Sequence, residues 1–401
     1  MLSNSVSYWL NLNIMNFFVF FLFYFAIIFS VIGYGFVFQH ILLQNNNKAN
    51  LGYIGIFGLS FCFIYSGLTS FFIAHSIVHN FIFLIIGLIV FLYKLKSSFE
   101  VEKKNYYLLV LIFSILFVSS LIFKSHDDFG YYHFPYTYFL TQSSAVLGIG
   151  LFNHGFRTPS SLFYINSLFY LPLIKFYFFH IGAILVMGFA NIILLKQIEY
   201  ARKFKSYDFS TFLALMIFIF INIFFYRISE HGTDRSAQIL VLIMILNLLI
   251  VTNFEKYLKE LSDKIAYIII LISIIISFKA FYILYSVFII YLAYLLFKEK
   301  KLKNFIYKYI KIILFSFLSV LLTLIINFSN TGCFLYPIKF SCFEIFPWTI
   351  NLEEVDFMKS WYEQWSKGGA GPNFRVANPE LYIQGFNWVS NWIKVYFMEK
   401  L

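Results

Sequence analysis

Residues 125–135 read SHDDFGYYHFP. Two adjacent carboxylates, Asp127 and Asp128, stand here with His126, His133 and a pair of tyrosines, just past an apolar run near 105–123. Ionised side chains at a membrane boundary are costly, so an acidic pair there calls for a function or a structural partner. As chemistry, carboxylates serve as a general base or as hard metal ligands. As structure, Asp caps the start of a helix. His126 and His133 supply a metal ligand or proton relay, or else simply hydrogen-bond at the interface; their spacing matches no zinc pattern.

Outward from this stretch the chain is strongly apolar. Of its 401 residues 61% are hydrophobic and 12% charged, against about 45–50% and about 25% in soluble domains. The mean hydropathy is +0.78. These values exclude an ordinary soluble domain and predict an all-α polytopic membrane protein. Crossing a bilayer core of ~30 Å takes about 20 apolar residues. About ten such transmembrane helices are expected, near 17–43, 51–73, 77–93, 105–123, 174–195, 209–226, 237–254, 265–278, 280–297 and 311–328. The net charge of +11 lies mainly in short segments between these runs, so it points to membrane orientation and not to nucleic acid. Lys48 and the basic loops 94–104, 196–205, 255–264 and 298–311 all fall on one side, the expected cytoplasmic side. The opposite side then carries 74–76, 124–173, 227–236, 278–279 and everything after about 329. No Lys or Arg precedes Lys48, so no signal-peptide n-region is visible. The long loop 124–173, broken by Pro135, Pro159 and Pro172, is expected to hold surface helices near 136–150 and 160–170. The chain divides on this reading into an N-terminal three-helix segment (1–104), a seven-helix module (105–329) and an outward C-terminal segment (330–401).

Further ionisable residues gather on the same side. The loop YRISEHGTDRSAQ, 226–238, packs Arg227, Glu230, His231, Asp234 and Arg235 into nine residues. Its arginines suit phosphate and its acids suit a metal or sugar hydroxyls, or the group neutralises itself as an ion-pair network. Lys279 separates two short apolar runs, which requires short helices or a bend at Ser277–Lys279; it contacts a phosphate or snorkels. Lys175, at the start of an expected span, reads as snorkelling. Arg157, in NHGFRTP, binds substrate or closes its loop on an acid. Cys333 and Cys342 are close enough in sequence for a disulfide outside the last span, and Cys62 reads as core packing. No Walker A, dinucleotide-binding glycine motif or serine nucleophile elbow is evident.

From residue 105 onward this pattern resembles the GT-C superfamily of membrane glycosyltransferases. The features that carry the likeness are an acidic motif (Asp127–Asp128) after an inside-to-outside span, a long first loop, six further spans and an outward C-terminal segment. The runs DDFGYYHFPY, RISEHGTD, SFK and GCFLYP are also similar to uncharacterised bacterial membrane proteins placed near that superfamily. The resemblance implies transfer of a sugar from a polyprenyl-phosphate donor to a glycan, lipid or protein acceptor on the outer face of a bacterial plasma membrane, in cell-envelope polysaccharide biosynthesis. It implies an Asp127 or Asp128 base, with Glu230 and Asp234 as further acids and Lys279 meeting the lipid phosphate. Arg157, Arg227, Arg235 and His133 are further candidates for substrate binding. No cofactor is required by this reading, and a divalent cation is left open. Three spans before the module and a short C-terminal segment depart from the best-known members. Alternatives are an O-antigen-type polymerase or ligase, a lipid or glycan transporter, and a non-catalytic assembly factor.

Overall fold

The computed structural model describes residues 14–43, 49–121, 126–205, 208–229, 232–253, 262–371 and 374–398. The described chain is helical, with isolated bridges in place of strands. Among the described residues eight helical segments are long and apolar enough to cross a membrane. The chain forms two compact units, one taking in the sequence up to Ala145 and Pro159–Thr323, the other Val146–Thr158 and the sequence from Leu324.

In the first unit, α1 (Ile14–Leu42) packs against α2 (Leu51–Ser70) and α3 (Ile77–Leu121). Asn50 caps α2, its Oδ1 accepting from the Tyr53 N–H at 3.1 Å. Where helix backbones touch, only glycine fits: a Cβ on Gly33 would lie 2.0 Å from the Gly87 carbonyl oxygen, and one on Gly58 would lie 2.0 Å from that of Val31. With little water to compete, helices are also joined through polar atoms. Tyr24 Oη donates to Phe113 O at 3.0 Å, Tyr34 Oη to Phe83 O at 2.7 Å, and Tyr53 Oη to Asn247 Oδ1 at 2.7 Å.

The basic stretch 94–104, expected as a loop, is helical, and α3 runs unbroken for 45 residues. It is not straight. The rings of Phe91 and Tyr106 lie 6.2 Å apart, whereas a straight helix would separate their Cα atoms by about 22 Å, farther than two aromatic side chains reach. The helix therefore bends between its two apolar windows, Ile77–Ser97 and Lys103–Leu121.

The first long loop also departs from expectation. Helix α4 (Phe134–Gln142) is buried on one face through Tyr136, Thr137, Leu140 and Thr141, but every residue of α5 (Ser161–Ser167) is buried. A surface helix is therefore the wrong description of α5. Its sequence SLFYINS is apolar on every side except for groups that find partners inside the protein. Ser161 Oγ lies 2.8 Å from Ser277 Oγ, Asn166 Oδ1 accepts from the Gly182 N–H at 2.8 Å, and Ser167 Oγ lies 2.6 Å from His75 Nδ1. The span expected from 174 begins instead at Ile181, because Leu173 and Lys175 adopt positive φ (67° and 43°) in a tight turn after Pro172. Lys175 is thus exposed on a turn just before a short 3₁₀ segment (Phe176–Phe178) and does not start the span.

Helices α6 (Ile181–Phe204), α7 (Phe209–Phe224) and α8 (Gly232–Asn253) pack together, and α9 (Ser262–Phe278) lies against α8. The paired amides of Asn191 and Asn222 join α6 to α7 at 2.8 and 3.1 Å. After Phe278 the backbone extends at Lys279 and passes through a 3₁₀ segment (Ala280–Ser286) into α10 (Val287–Lys298). That is the break the sequence required between its two short apolar runs. Helix α11 (Leu302–Thr331) follows, with non-helical dihedrals at Tyr309.

The second unit includes the last turns of α11 and α12 (Leu352–Ser366), α13 (Pro379–Ile383) and α14 (Val389–Ile393). Cys333 and Cys342 are joined by a disulfide. The bridge packs in a small core with Tyr336, Ile350, Val355 and Met358.

Candidate functional site

Asp127 and Asp128 open a helical run that passes through a π-helical turn, Phe129–His133, into α4. Such turns are rare and widen the helix locally, frequently at functional sites. The Phe134 N–H donates to Phe129 O across the turn. Asp128 makes no side-chain capping bond, so the capping explanation for this acid finds no support in the geometry. Asp127 is exposed, while half-buried Asp128 has Oδ2 3.8 Å from His126 Nδ1.

His133 is buried and faces inward from the π turn. With Phe129 it lines a cavity of ≈ 20 Å³ together with Asn166, His180, Ser229 and Thr233. That is room for about one water molecule. The cavity is where the acidic loop meets the end of the RISEHGTD stretch. Ser229 is fixed there by donating its hydroxyl to Ser119 O at 2.7 Å.

Helix α8 begins five residues earlier than the sequence suggested, at Gly232. Asp234 and Arg235 therefore lie in its first turn and not in a loop. Asp234 Oδ1 sits 2.8 Å from Lys279 Nζ. Arg235 stacks its guanidinium over the Phe225 ring, 4.6 Å from the centroid. Arg227 is half-buried in the turn before α8. Glu230, His231 and Lys124 lie outside the described residues.

Between α9, α10 and α11 runs an apolar groove of ≈ 370 Å³. Ile265, Ile269, Ile272 and Ile276 line it along one face of α9, opposite Leu292, Leu296 and Phe317. Lys279 stands just beyond the Ile276 end of that face, between groove residues Ile276 and Ser286 in the chain. Lys279 itself does not line the groove; its Nζ turns to Asp234 in the first turn of α8.

Arg157 belongs to the second unit and closes its loop on an acid, the structural one of its two sequence readings. Its side chain is 7% exposed and pairs with Glu354 Oε1 at 2.7 Å. It also donates to Gly150 O and to Tyr336 Oη, each at 3.0 Å. His154 lies beside this network, and burial, followed by the charge of Arg157, lowers its pKa.

No motif in the sequence marks His180, Asn166, Ser229 and Thr233, which line the small cavity. The first unit also holds a buried polar cluster. His75 Nδ1 lies 2.6 Å from Ser167 Oγ and its Nε2 lies 3.0 Å from Thr69 Oγ1. Asn80 Nδ2 donates to His75 O and Ser167 O, both at 2.8 Å. His79 lies 2.8 Å from Tyr65 Oη through its Nε2. The signal lies in AHSIVHN, residues 74–80, where two imidazoles and one amide interrupt an apolar context. Among the described residues no three His, Cys, Asp or Glu side chains converge as a metal site, so the divalent cation left open earlier has no ligand set there.

The model of a domain of unknown function, DUF8201, matches residues 15–401. No curated protein and no solved structure matches the chain. The chain belongs to the DUF8201 family.

Proposed function

We propose that this DUF8201 protein is an integral membrane glycosyltransferase that takes a sugar from a polyprenyl-phosphate donor. The observation that carries the reading is Lys279, which follows groove-lining Ile276 by three residues in the chain and pairs with Asp234. An isoprenoid chain needs an apolar channel, and its phosphate needs a cation where that channel ends. Asp127 or Asp128 takes the proton from the acceptor hydroxyl, and the hydroxyl oxygen attacks the anomeric carbon. The bond from that carbon to the phosphate oxygen breaks, and polyprenyl phosphate leaves with its new charge balanced by Lys279. One displacement inverts the anomeric configuration. A double displacement needs two carboxylates facing each other across the sugar at about 5–5.5 Å, and sequence neighbours on one helical turn do not supply that. Arg157, bound to Glu354 in the second unit, takes no part. The positive-inside charge pattern and the disulfide support placing this chemistry on the outer, oxidising side.

The test uses the full chain in lipid and a panel of polyprenyl-phosphate sugars, with release of polyprenyl phosphate as the readout. Wild type releases it, and one of Asp127→Asn or Asp128→Asn loses about 10²–10⁴-fold in turnover while remaining folded. Full activity in both aspartate variants removes this reading.

A further inference from the structure

A second cavity, of ≈ 400 Å³, lies at the end of the first unit that carries the basic segments. Its position is set by Lys264, near the start of α9, whereas Lys279 follows the other end of that helix. The cavity is therefore separate from the site described above. Its size is in the range of small-ligand pockets, about 300–1,000 Å³.

Three lysines, Lys196, Lys203 and Lys264, line this cavity against one acid, Glu199. Glu199 is already engaged, with Lys104 on Oε1 and Lys196 on Oε2, the latter at 2.7 Å. Among the described residues no carboxylate pairs with Lys203 or Lys264. Lys264 is half-buried, so its charge is incompletely solvated and favours an anion beside it. The polar wall is fixed: Tyr53 Oη donates to Asn247 Oδ1, and Asn247 Nδ2 donates to Ile243 O at 2.8 Å. Asn50 Oδ1 accepts from the Tyr53 N–H, leaving its Nδ2 group as a donor. Ile193, Leu246 and Ile250 make the remaining wall apolar. Compact ammonium groups around an amphipathic hollow suit a multi-oxygen anion on a partly apolar body.

We propose that this cavity binds a phosphate-bearing ligand, with Lys203 and Lys264 holding the phosphate. The chemistry is shared by an anionic lipid headgroup and a soluble phosphate compound, and the experiment separates the two. Native mass spectrometry of the full chain in detergent, loaded with equal phosphatidylglycerol and phosphatidylcholine, reads the lipid arm. Calorimetric titration with inorganic phosphate at constant ionic strength reads the soluble arm. Preferential binding of phosphatidylglycerol, of phosphate, or of both is expected, weakened at least about ten-fold in Lys264→Gln and in Lys203→Gln. Lys203 is exposed, so its substitution leaves the fold intact even where Lys264→Gln does not. Lys303→Gln, on an exposed position outside the cavity, binds as wild type. Binding in the lipid arm alone assigns a headgroup, and in the soluble arm alone a soluble ligand. Binding in neither arm, or binding that survives Lys203→Gln, overturns the proposal.

Discussion

Asp234 Oδ1 and Lys279 Nζ lie 2.8 Å apart, joining the first turn of α8 to the residue that follows α9. The lysine side chain is 24% exposed and the aspartate 58%. At that exposure the pair contributes at most about 1 kcal/mol to stability, so its main effect is to orient the lysine side chain.

Under the proposed function, substitutions of the two partners act oppositely on the donor. Lys279→Gln raises the donor KM, because the phosphate loses its cation. Asp234→Asn lowers it, because the carboxylate no longer competes with the phosphate for Lys279. Both leave the melting temperature within a few degrees of wild type. Donor titrations of the two variants check this, and a parallel loss in both would show that the pair acts as one structural unit.

Arg157 gives the contrasting case. Arg157→Ala removes the bonds to Gly150 and Tyr336 and leaves the half-exposed Glu354 to water, costing about 1–3 kcal/mol in the second unit. Arg157→Lys keeps the charge but not the fork that reaches three partners, and recovers only part of this. Donor KM is unchanged in Arg157→Lys. Thermal unfolding alongside kinetics distinguishes this structural role from a phosphate contact.

His75 sets a pH dependence. Burial, then the nearby His79, pushes its pKa from the model-peptide value of 6.5 to about 3. The unfolded chain thus binds a proton between these values that the folded chain refuses. The stability His75 contributes is fully present above about pH 6.5 and declines as pH falls toward 3. His75→Gln flattens this part of the stability–pH curve and costs about 1–3 kcal/mol at neutral pH. Denaturation in detergent between pH 4 and 8 measures both.

The disulfide closes a short loop, with a sequence separation of 9. Its loss removes about 2–3 kcal/mol by the chain-entropy relation, and the effect is confined to the second unit. Reductant lowers the melting temperature of wild type and leaves Cys333→Ser/Cys342→Ser unchanged. Cys62, buried within α2, stays unreactive to alkylation in both until the protein unfolds.

Much of the architecture was legible in the residues, because hydropathy and charge act on neighbours along the chain. The apolar runs that became α1, α2 and α6–α11 stand out in the sequence, as does the interruption at Lys279. Their edges were less legible. Helix α8 starts at Gly232 and not at 237 because polar Thr233, Asp234 and Arg235 are helical there despite their hydrophilicity. The stretch 94–104 looked like a loop because lysines mark the ends of spans, but charge sets where a helix leaves the bilayer and not whether its backbone hydrogen bonds continue.

Composition and periodicity alone determined that the chain is all-helical and built of apolar segments long enough for a membrane, since each helix satisfies its own backbone groups and needs no distant partner to be recognised. Spacing alone made Cys333 and Cys342 candidates for each other. Only the tertiary structure decided that Asp234 meets Lys279, that Arg157 is bound to Glu354, that α5 is enclosed, and that His75 and Asn80 are buried with Ser167. Those contacts join residues tens to nearly two hundred positions apart. Whether a polar group is solvated or buried depends on what packs over it, and that is a property of the folded chain.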